Sequence, residues 1–450
     1  MRHAVSTFVC AIALISSSSI VHVPSALSFS PRATSHSSLS SLSSINKNSP
    51  KNTNNNGGPL VNKEGCRTSN SPLGLASSVT EASATSTSTS NSTTSTATTA
   101  RPEINVKPYL WRNHTINAIQ SGPASGQPVV LIHGFGCSTT YWREVTATLA
   151  GIGYSVHAID LLGQGKSSKP PDVTLSINLW SNIVDDYVRD VVAKQQQKES
   201  FGGGGSIIFG GLLGSSKTGS SSTDGVILMG NSLGSLVALA AAVGDHSDDS
   251  SDYAAHLPGK VAGVCMFNCG VGLNSRGIVD EPQWSPFQRF LFTLVLNTLD
   301  AVLFNNPPVL RYVLDDVVTP DLLRGALRGL YTYDPSRVDD ELVMSFYHPA
   351  KEDGAADALR QIYTNHPGLS PMQIHEKHAE RVAGLPIHLV WGDDDAVTPL
   401  DGGVGTFYSA LAKDESTPVT MDVIGGTGHI PFDDNVGESN QSMLRWLETL

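Results

Sequence analysis

The chain is poor in the features that define several large classes of protein. It has only 5 cysteines in 450 residues, and Cys137, Cys265 and Cys269 lack the paired spacing of a disulfide framework or a metal site. It carries 29 lysines and arginines against 41 aspartates and glutamates, so its formal net charge is -12. Because there is also no basic stripe and no alternation of basic and aromatic residues, nucleic acid is not expected as a partner.

Metal-binding and phosphate-binding motifs are also lacking. His375 and His378 lie one helical turn apart, but an isolated pair at this spacing is typical of surface residues. The stretch Gly214-Ser215-Ser216-Lys217-Thr218 imitates a phosphate-binding loop, yet Ser216 stands where that motif requires glycine. We therefore predict no metal and no cofactor.

The first hundred residues have the composition of targeting segments. Residues 1–28 have a short basic start, an apolar stretch and then small residues ahead of Phe29, which predicts a signal peptide. The apolar stretch is too short and too rich in serine for a membrane span. Residues 29–102 are rich in Ser and Thr and poor in acidic residues, which is typical of a disordered, transit-like segment. Together they resemble the bipartite presequences of algae whose plastids lie inside extra membranes. A plastid protein is predicted, and a secreted one is the alternative.

The remaining residues, 103–450, are predicted to form one domain with two insertions. Residues 192–225 are rich in Gly and Ser and predict a disordered insertion, after a helix that ends near Ala193. Residues from about 272 to 380 lack strand patterns and predict a helical lid. Its strongly apolar stretch, Pro286 to Leu310, fits either a helix packed on its neighbours or a surface for a long hydrocarbon or a membrane.

The most informative stretch is Gly230-Asn231-Ser232-Leu233-Gly234. It follows the apolar run Val226 to Met229 and precedes the helix-forming stretch Ser235 to Val243. A serine with a glycine two positions to either side, where a strand passes into a helix, is the nucleophile elbow of α/β-hydrolases. The glycines are needed because any side chain there would collide with a neighbouring strand or helix. The predicted fold is the α/β-hydrolase fold, a mostly parallel sheet with helices on both faces and a helical lid.

A serine nucleophile needs a histidine base and an acid that orients it, in the chain order serine, acid, histidine in this fold. The predicted strand Val419 to Ile424 is followed by Gly425-Gly426-Thr427-Gly428-His429, so His429 is the candidate base. Three aspartates follow the predicted strand Pro386 to Trp391. The spacing to the next turn, Ala-Val-Thr-Pro, favours Asp395 as the acid, while Asp393 and Asp394 remain alternatives.

An oxyanion needs two backbone N–H groups. One is expected from Leu233, which follows the candidate nucleophile. The other is expected from Phe135, in the loop His133-Gly134-Phe135-Gly136 after the predicted strand Pro128 to Ile132. His133 itself is expected to brace this loop, and Asp160 to hold the next glycine-rich turn through backbone amides.

From about Pro108 to Leu450, apart from the 192–225 insertion, the chain resembles the pheophytinase group, including its cyanobacterial and algal relatives. The matching motifs are Val130-Leu131-Ile132-His133-Gly134-Phe135-Gly136, Asp160-Leu161-Leu162-Gly163-Gln164-Gly165, Gly230-Asn231-Ser232-Leu233-Gly234, Phe267-Asn268-Cys269 with Gly272-Leu273-Asn274, and Trp391-Gly392 with Asp395 and Thr398-Pro399. The resemblance implies hydrolysis of the phytyl ester of pheophytin or chlorophyll in plastids. It also implies Ser232 as nucleophile, Asp395 as acid and His429 as base.

The sequence therefore predicts a serine esterase acting on an apolar substrate, a phytyl or another isoprenoid or lipid ester, with peripheral contact with plastid membranes. Two other functions fit the same pattern. Carbon–carbon bond hydrolases of diketones also use Gly-Asn-Ser at the elbow, and some receptors of this fold bind ligands without turnover. No oligomeric state is predicted.

Overall fold

The computed structural model describes residues 101–202, 225–245, 257, 260–274, 276 and 285–450. The predicted signal peptide, nearly all of the transit-like segment and residues 203–224 of the predicted insertion lie outside the described residues. The strands are β1 (Ile104–Val106), β2 (Tyr109–Trp111), β3 (His114–Ile116), β4 (Ala118–Ser121), β5 (Pro128–Ile132), β6 (Ser155–Ile159), β7 (Val226–Asn231), β8 (Val261–Phe267), β9 (Ile387–Gly392) and β10 (Val419–Ile424). The helices are α1 (Arg143–Gly151), α2 (Ile177–Tyr187), α3 (Ala193–Gly202), α4 (Leu233–Val243), α5 (Pro286–Leu299), α6 (Pro307–Tyr312), α7 (Pro320–Arg328), α8 (Asp340–Lys351), α9 (Ala355–Thr364), α10 (Pro371–Lys377), α11 (Ala379–Val382), α12 (Gly403–Leu411), α13 (Pro431–Asp434) and α14 (Val436–Leu447).

Across the described residues, eight strands form one sheet in the order β1-β4-β6-β5-β7-β8-β9-β10, and β2 and β3 form a separate hairpin. Strands β5 to β10 are mutually parallel, while β1 and β4 run antiparallel at one edge. The chain order reverses at β5, because β6 lies on one side of it and β7 on the other. Such a reversal opens a crevice at the carboxyl ends of the strands. The loops that carry Phe135 and Ser232 begin at this crevice.

The sheet separates two hydrophobic cores. In β5, Val130 and Ile132 belong to one core, while Val129 and Leu131 belong to the other, as the alternation of side chains along a strand requires. The first core is completed by α2 and α4, and the second by α1 and α14. Both faces of the central strands are therefore buried, which accounts for their continuous apolar sequences. The predicted α/β-hydrolase fold, a mostly parallel sheet with helices on both faces, is confirmed.

The described residues between α5 and β9 form helices and the turns that connect them, and they include no strand. Helix α5 begins with a capping box formed by Ser285 and Gln288, and it continues through a π-helical turn, Asp300–Phe304. The segment Pro286–Phe304 has 19 residues and a mean hydropathy of 1.3, so by length and composition it could cross a membrane. Only 17% of the residues in its most apolar stretch are buried. Most of this apolar surface therefore faces outward.

The helix before the predicted insertion is longer than expected. It was predicted to end near Ala193, but α2 passes through a π-helical turn, Val188–Val192, into α3, which ends at Gly202. The physical reason is that α3 begins Ala-Lys-Gln-Gln-Gln-Lys-Glu, a run of residues with high helix propensity. The prediction of disorder was therefore wrong for residues 192–202.

Acid sensitivity of the fold follows from His388 on β9. Its ring nitrogens contact the hydroxyls of Thr420 and Ser442, 2.8 and 2.9 Å away, and burial lowers the pKa of His388 to about 4. The unfolded chain therefore binds a proton at this residue more readily than the folded one. Its contribution to stability is present above pH ~6.5 and is lost as the pH falls towards about 4, by up to about 3 kcal/mol.

We predict that His388→Gln makes the free energy of unfolding less dependent on pH between about 6.5 and 4. The measurement is urea unfolding at a series of pH values. The slope against pH is the informative quantity, because the substitution also changes the stability at neutral pH. An unchanged slope in the variant would contradict the assignment of this pH dependence to His388.

Candidate active site

Ser232 lies at a strained turn between β7 and α4. Its backbone has φ 53° and ψ -122°, in the left-handed half of conformational space that side chains disfavour. A Cβ built on Gly230 would lie 2.3 Å from the carbonyl oxygen of Gly234. A Cβ on Gly234 would lie 2.1 Å from the carbonyl oxygen of Ile132. The elbow therefore has the steric requirement for glycine that the sequence predicts.

His429 and Asp395 form a hydrogen-bonded pair beside this turn. The Nδ1–H of His429 donates to Oδ2 of Asp395 over 2.8 Å, which leaves Nε2 as the ring nitrogen with a free lone pair. The same carboxylate oxygen accepts from Asn268 Nδ2 at 2.5 Å and from Thr398 Oγ1 at 2.6 Å. Backbone N–H of Val397 donates to the other oxygen at 2.7 Å.

These donors decide the charge of the buried Asp395 carboxyl. Burial alone would raise its pKa, but the imidazole of His429 and the hydrogen bonds from His429, Thr398 and Asn268 outweigh burial, so the pKa is lowered. Asp395 is therefore a carboxylate at neutral pH and fixes the orientation of the imidazole.

The structure separates the three consecutive aspartates. Asp393 and Asp394 are exposed, whereas Asp395 is buried and is the one that contacts His429. The Asp393 carboxylate accepts from the backbone N–H of Gly426 at 2.6 Å, so it holds the loop that precedes His429. The geometry thus favours Asp395 over both alternatives.

Phe135 and Leu233 offer unused backbone donors. In the loop after β5, the N–H of Gly134 donates to Tyr141 and the N–H of Gly136 donates to Gln164, over 2.8 and 2.7 Å. Among the described residues, nothing accepts a hydrogen bond from the N–H of Phe135 or of Leu233. Phe135, Leu233 and Ser232 line the same small cleft. Two free N–H groups therefore lie beside the serine, as an oxyanion site requires.

His133 and Asp160 hold the loops rather than face the cleft. His133 Nε2 accepts from the backbone N–H of Leu161 at 2.9 Å, while its Nδ1 donates to the carbonyl of Gly134. Burial lowers the pKa of His133, so the ring is neutral. Asp160 accepts from the backbone amides of Thr139 and Lys166, over 2.6 and 2.8 Å. Both residues have the bracing role that the sequence predicts.

A cavity of about 240 Å³, which we call the active chamber, is lined by Ser232 and His429. Most of its other lining residues are apolar, with Asn231 as a polar exception. The lid contributes residues of α7, α8 and α9 and of the turn after α7, and Phe135 of the loop after β5 also lines the chamber. The lining residues from the lid are Leu323, Ala326, Leu327, Leu330, Phe346 and Tyr363. The lid thus covers the serine with hydrocarbon.

No site for a metal ion is formed by the residues that the structure describes. His375 and His378 have separate partners: His375 Nε2 lies 3.3 Å from the Tyr408 hydroxyl, and His378 Nε2 lies 2.9 Å from Asp245. Cys137, Cys265 and Cys269 are buried free thiols, and burial raises the pKa of each.

Two partners of Asp395 have no role assigned from sequence. Asn268 and Thr398 stand out there only as parts of motifs. The one local signal in the sequence is an asparagine directly after the strand β8. In the structure Asn268 has φ 43°, a conformation that asparagine tolerates better than most residues. Its Oδ1 accepts from the N–H of Gly392 at 3.0 Å, so one side chain connects the ends of β8 and β9.

We predict that Thr398→Val raises the pKa of Asp395, because the carboxylate loses one hydrogen-bond donor. A lowered carboxyl pKa adds stability above the unfolded value of ~3.9, which is lost as the pH falls below it, so the variant is also less stable at neutral pH. Carbon-13 NMR titration of labelled aspartate carboxyls measures the change. Thr406→Val is the control, since the Thr406 hydroxyl donates to Gly402 on the exposed side of α12. An unchanged Asp395 titration in Thr398→Val would contradict the prediction.

Comparisons with known proteins identify one family. A family model described as "Alpha/beta hydrolase family" matches residues 129–439. A haloalkane dehalogenase of Mycobacterium marinum is 46% identical over 52 residues, which are 12% of this chain and 18% of that protein. The chain therefore matches less than a fifth of the length of this curated relative.

Solved structures agree in fold. The Cif epoxide hydrolase of Acinetobacter nosocomialis aligns with a TM-score of 0.53 at 15% identity, over 76% of this chain and 89% of that one. A putative lipase of Acinetobacter baumannii AYE aligns with a TM-score of 0.51 at 15% identity, over 77% of this chain and 91% of that one. At such low identity the similarity shows the fold alone.

Proposed function

Because the chain belongs to the alpha/beta hydrolase family, we propose that it is a serine hydrolase that cleaves carboxylic esters of apolar substrates. The observation that carries the proposal is the set of chemical groups that line the active chamber. A serine at a strained turn and a histidine held by a buried carboxylate line it together, and two unused N–H groups lie beside the serine.

The proposed reaction has two stages. Ser232 Oγ attacks the ester carbonyl carbon as His429 Nε2 takes the hydroxyl proton, and the N–H groups of Phe135 and Leu233 bind the oxyanion. Collapse breaks the bond to the alcohol oxygen, which receives the proton from His429. A water molecule, deprotonated by His429, then attacks the acyl-serine and releases the acid and the free hydroxyl. Asp395 stays ionised throughout and stabilises the imidazolium.

The serine at the elbow, Ser232, supports acyl transfer rather than dehalogenation or epoxide opening, the reactions named for two similar proteins. A serine that opened an epoxide or displaced a halide would form an ether to an alkyl carbon. Such a bond has no carbonyl at which water could release the enzyme, so turnover would stop. An acyl-serine has that carbonyl. Ser232 therefore favours a carboxylic ester as substrate.

The apolar walls of the active chamber support a hydrocarbon-rich ester. Within that class we propose a phytyl or another isoprenoid or lipid ester, such as that of pheophytin or chlorophyll, on the basis of the motifs shared with the pheophytinase group. The proposed location is the plastid, from the composition of residues 1–102. Incubation with pheophytin, chlorophyll, plain lipid esters and a vinylogous diketone, followed by product identification, tests this choice. Cleavage of the diketone alone would replace the proposal by carbon–carbon bond hydrolysis.

We predict that Ser232→Ala lowers ester turnover at least about 10³-fold, because the nucleophile is lost. Steady-state kinetics with circular dichroism as a folding check measures this. Ser235→Ala is the matched control. Ser235 is a buried serine three residues further on, and its hydroxyl donates to the carbonyl of Gly230 at 2.8 Å. Loss of this hydroxyl is expected to lower the stability of the protein and to leave its ester turnover unchanged. Retained turnover in Ser232→Ala would overturn the proposed function, and stoichiometric binding without product in the wild type would indicate a receptor.

Helix α5 supports contact with a lipid surface. Phe287, Phe290, Leu291, Leu294 and Val295 are between 42% and 72% exposed, and their spacing places them along one side of the helix. Lipid fits this surface because the segment reaches membrane-spanning length with little of it buried. The π-helical turn that follows α5 connects it to the active chamber, since Phe304 stacks on Tyr363, a lining residue of that chamber, with ring centroids 4.6 Å apart. The helix would thus hold the chamber close to substrate dissolved in lipid.

We predict that Phe290→Ser with Leu294→Ser lowers binding to phosphatidylcholine vesicles at least about tenfold, because two large apolar side chains no longer partition into lipid. Vesicle flotation measures binding. Turnover of an ester embedded in vesicles falls in parallel, while turnover of a dissolved short-chain ester does not. Ile152→Ser is the control, since Ile152 is an exposed apolar residue just after α1. Equal vesicle binding by the double variant and the wild type would rule out the surface.

A further inference from the structure

A second cavity, which we call the side chamber, lies next to the active chamber and has a volume of about 210 Å³. The two cavities share Phe135, Gly136, Leu323 and Phe346 as lining residues. The side chamber lies between the lid and the loops that follow β5 and β6, and its lid walls are apolar. An extended substrate that enters one chamber is therefore adjacent to the other.

Gln164 lines the side chamber and is buried, with 5% of its surface exposed. Its Oε1 accepts from the backbone N–H of Gly136 at 2.7 Å, which fixes Nε2 as the other end of the amide. Nε2 is buried and has no hydrogen-bond partner among the described residues. A buried donor without an acceptor is costly and is rare in folded proteins, so this group is expected to meet an acceptor in the functioning protein.

The other long polar side chain at this chamber, Lys169, does not have spare donors. Its Nζ donates to the carbonyl oxygens of Gly165 and Ser167, over 2.7 and 3.3 Å. It also forms a 2.6 Å ion pair with Glu352. Gln164 is thus distinguished from Lys169 by a donor that the protein leaves unpaired.

We propose that the side chamber binds one arm of the ester substrate, and that this arm is an apolar chain with an oxygen acceptor that receives a hydrogen bond from Gln164 Nε2. The inference rests on the proposed function and specifies its substrate class as an oxygenated apolar ester. An ether, carbonyl or hydroxyl oxygen satisfies the amide, whereas a plain alkyl chain fills the chamber and leaves the donor unpaired. Because Gln164 also holds the N–H of Gly136, next to Phe135, it positions substrate and oxyanion loop together.

The test uses two series of esters, methyl esters of twelve-carbon acids and acetates of twelve-carbon alcohols. In each series one methylene is replaced by an ether oxygen at successive positions. The full-length protein is expected to prefer one position in one series over the unsubstituted ester by about tenfold in kcat/KM, the range of a single hydrogen bond. Gln164→Glu retains an oxygen for Gly136, and Gln164→Met retains neither group. The preference is expected to disappear in both, because both lack the donor.

Gln361→Met is the matched control. Gln361 is also 5% exposed, but its Oε1 accepts from the N–H of Leu175 and its Nε2 donates to Asp357, both at 2.9 Å. The preference for the oxygenated ester is expected to survive in this variant. No preferred position in the wild type, or an equal loss on both esters in the Gln164 variants, would overturn the inference and indicate a water molecule or a structural role at Nε2.

A binding measurement separates this inference from the proposed function. Didodecyl ether and the alkane of the same chain length are not hydrolysed, so the rise in Tm that each causes reports binding alone. If no ester is cleaved but ethers stabilise the wild type more than the Gln164 variants, the proposed function fails, and only the binding of an oxygenated apolar chain at Gln164 stands. If esters are cleaved but neither measurement depends on the oxygen, the inference fails and the proposed function stands.

Discussion

The geometry of the site depends on the backbone of Ser232. A non-glycine residue at φ 53° costs about 1–3 kcal/mol, and the surrounding contacts have to maintain it. Here the N–H of Ser232 donates to the carbonyl of Phe267, and the N–H of Gly270 donates to the carbonyl of Ser232, both at 3.0 Å. The strained residue is thus connected to the end of β8 on both sides. The turn can persist because the sheet holds it.

The neighbouring Asn231 connects this turn to the histidine loop. Its Nδ2 donates to the carbonyl of Phe267 at 2.9 Å and to the carbonyl of His429 at 3.0 Å. Asn268 connects Asp395 to the end of β9 in a comparable way. Asparagine side chains therefore fix the relative positions of three loops that are far apart in the chain. Such preorganisation is what an electrostatic site needs, because its groups do not have to reorganise during the reaction.

Local pattern predicted the elements that depend on local sequence. The predicted bounds of β5 and β10 agree with the structure residue for residue. Strand β5 is an apolar run that ends before His133, whereas β10 mixes apolar residues with Thr420 and Asp422 and ends before the two glycines that follow Ile424. Helix α4 begins at Leu233, two residues before its predicted start, since it starts at the elbow itself. The order serine, aspartate, histidine and their positions after strands were enough to name Ser232, Asp395 and His429, which the structure brings to one region.

Contacts between distant residues were not predictable in this way. Asn268 and Asp395 are 127 positions apart, and neither sequence context indicates the other as a partner. The lid was predicted as helical, but the helices that cover the serine and the division into two chambers follow from tertiary packing. Gln164 illustrates the limit: its motif marks a glycine-rich turn, while its unpaired amide becomes visible only when its neighbours are placed around it.

The central claim is that Ser232 is the one activated nucleophile of this site. The most direct measurement is mass spectrometry of tryptic peptides after treatment with a long-chain alkyl phosphonofluoridate, which forms a stable phosphonyl ester with an activated serine. The account predicts a single stoichiometric adduct on Ser232. Modification of another residue in its place, or no adduct at Ser232 in folded protein, would contradict it.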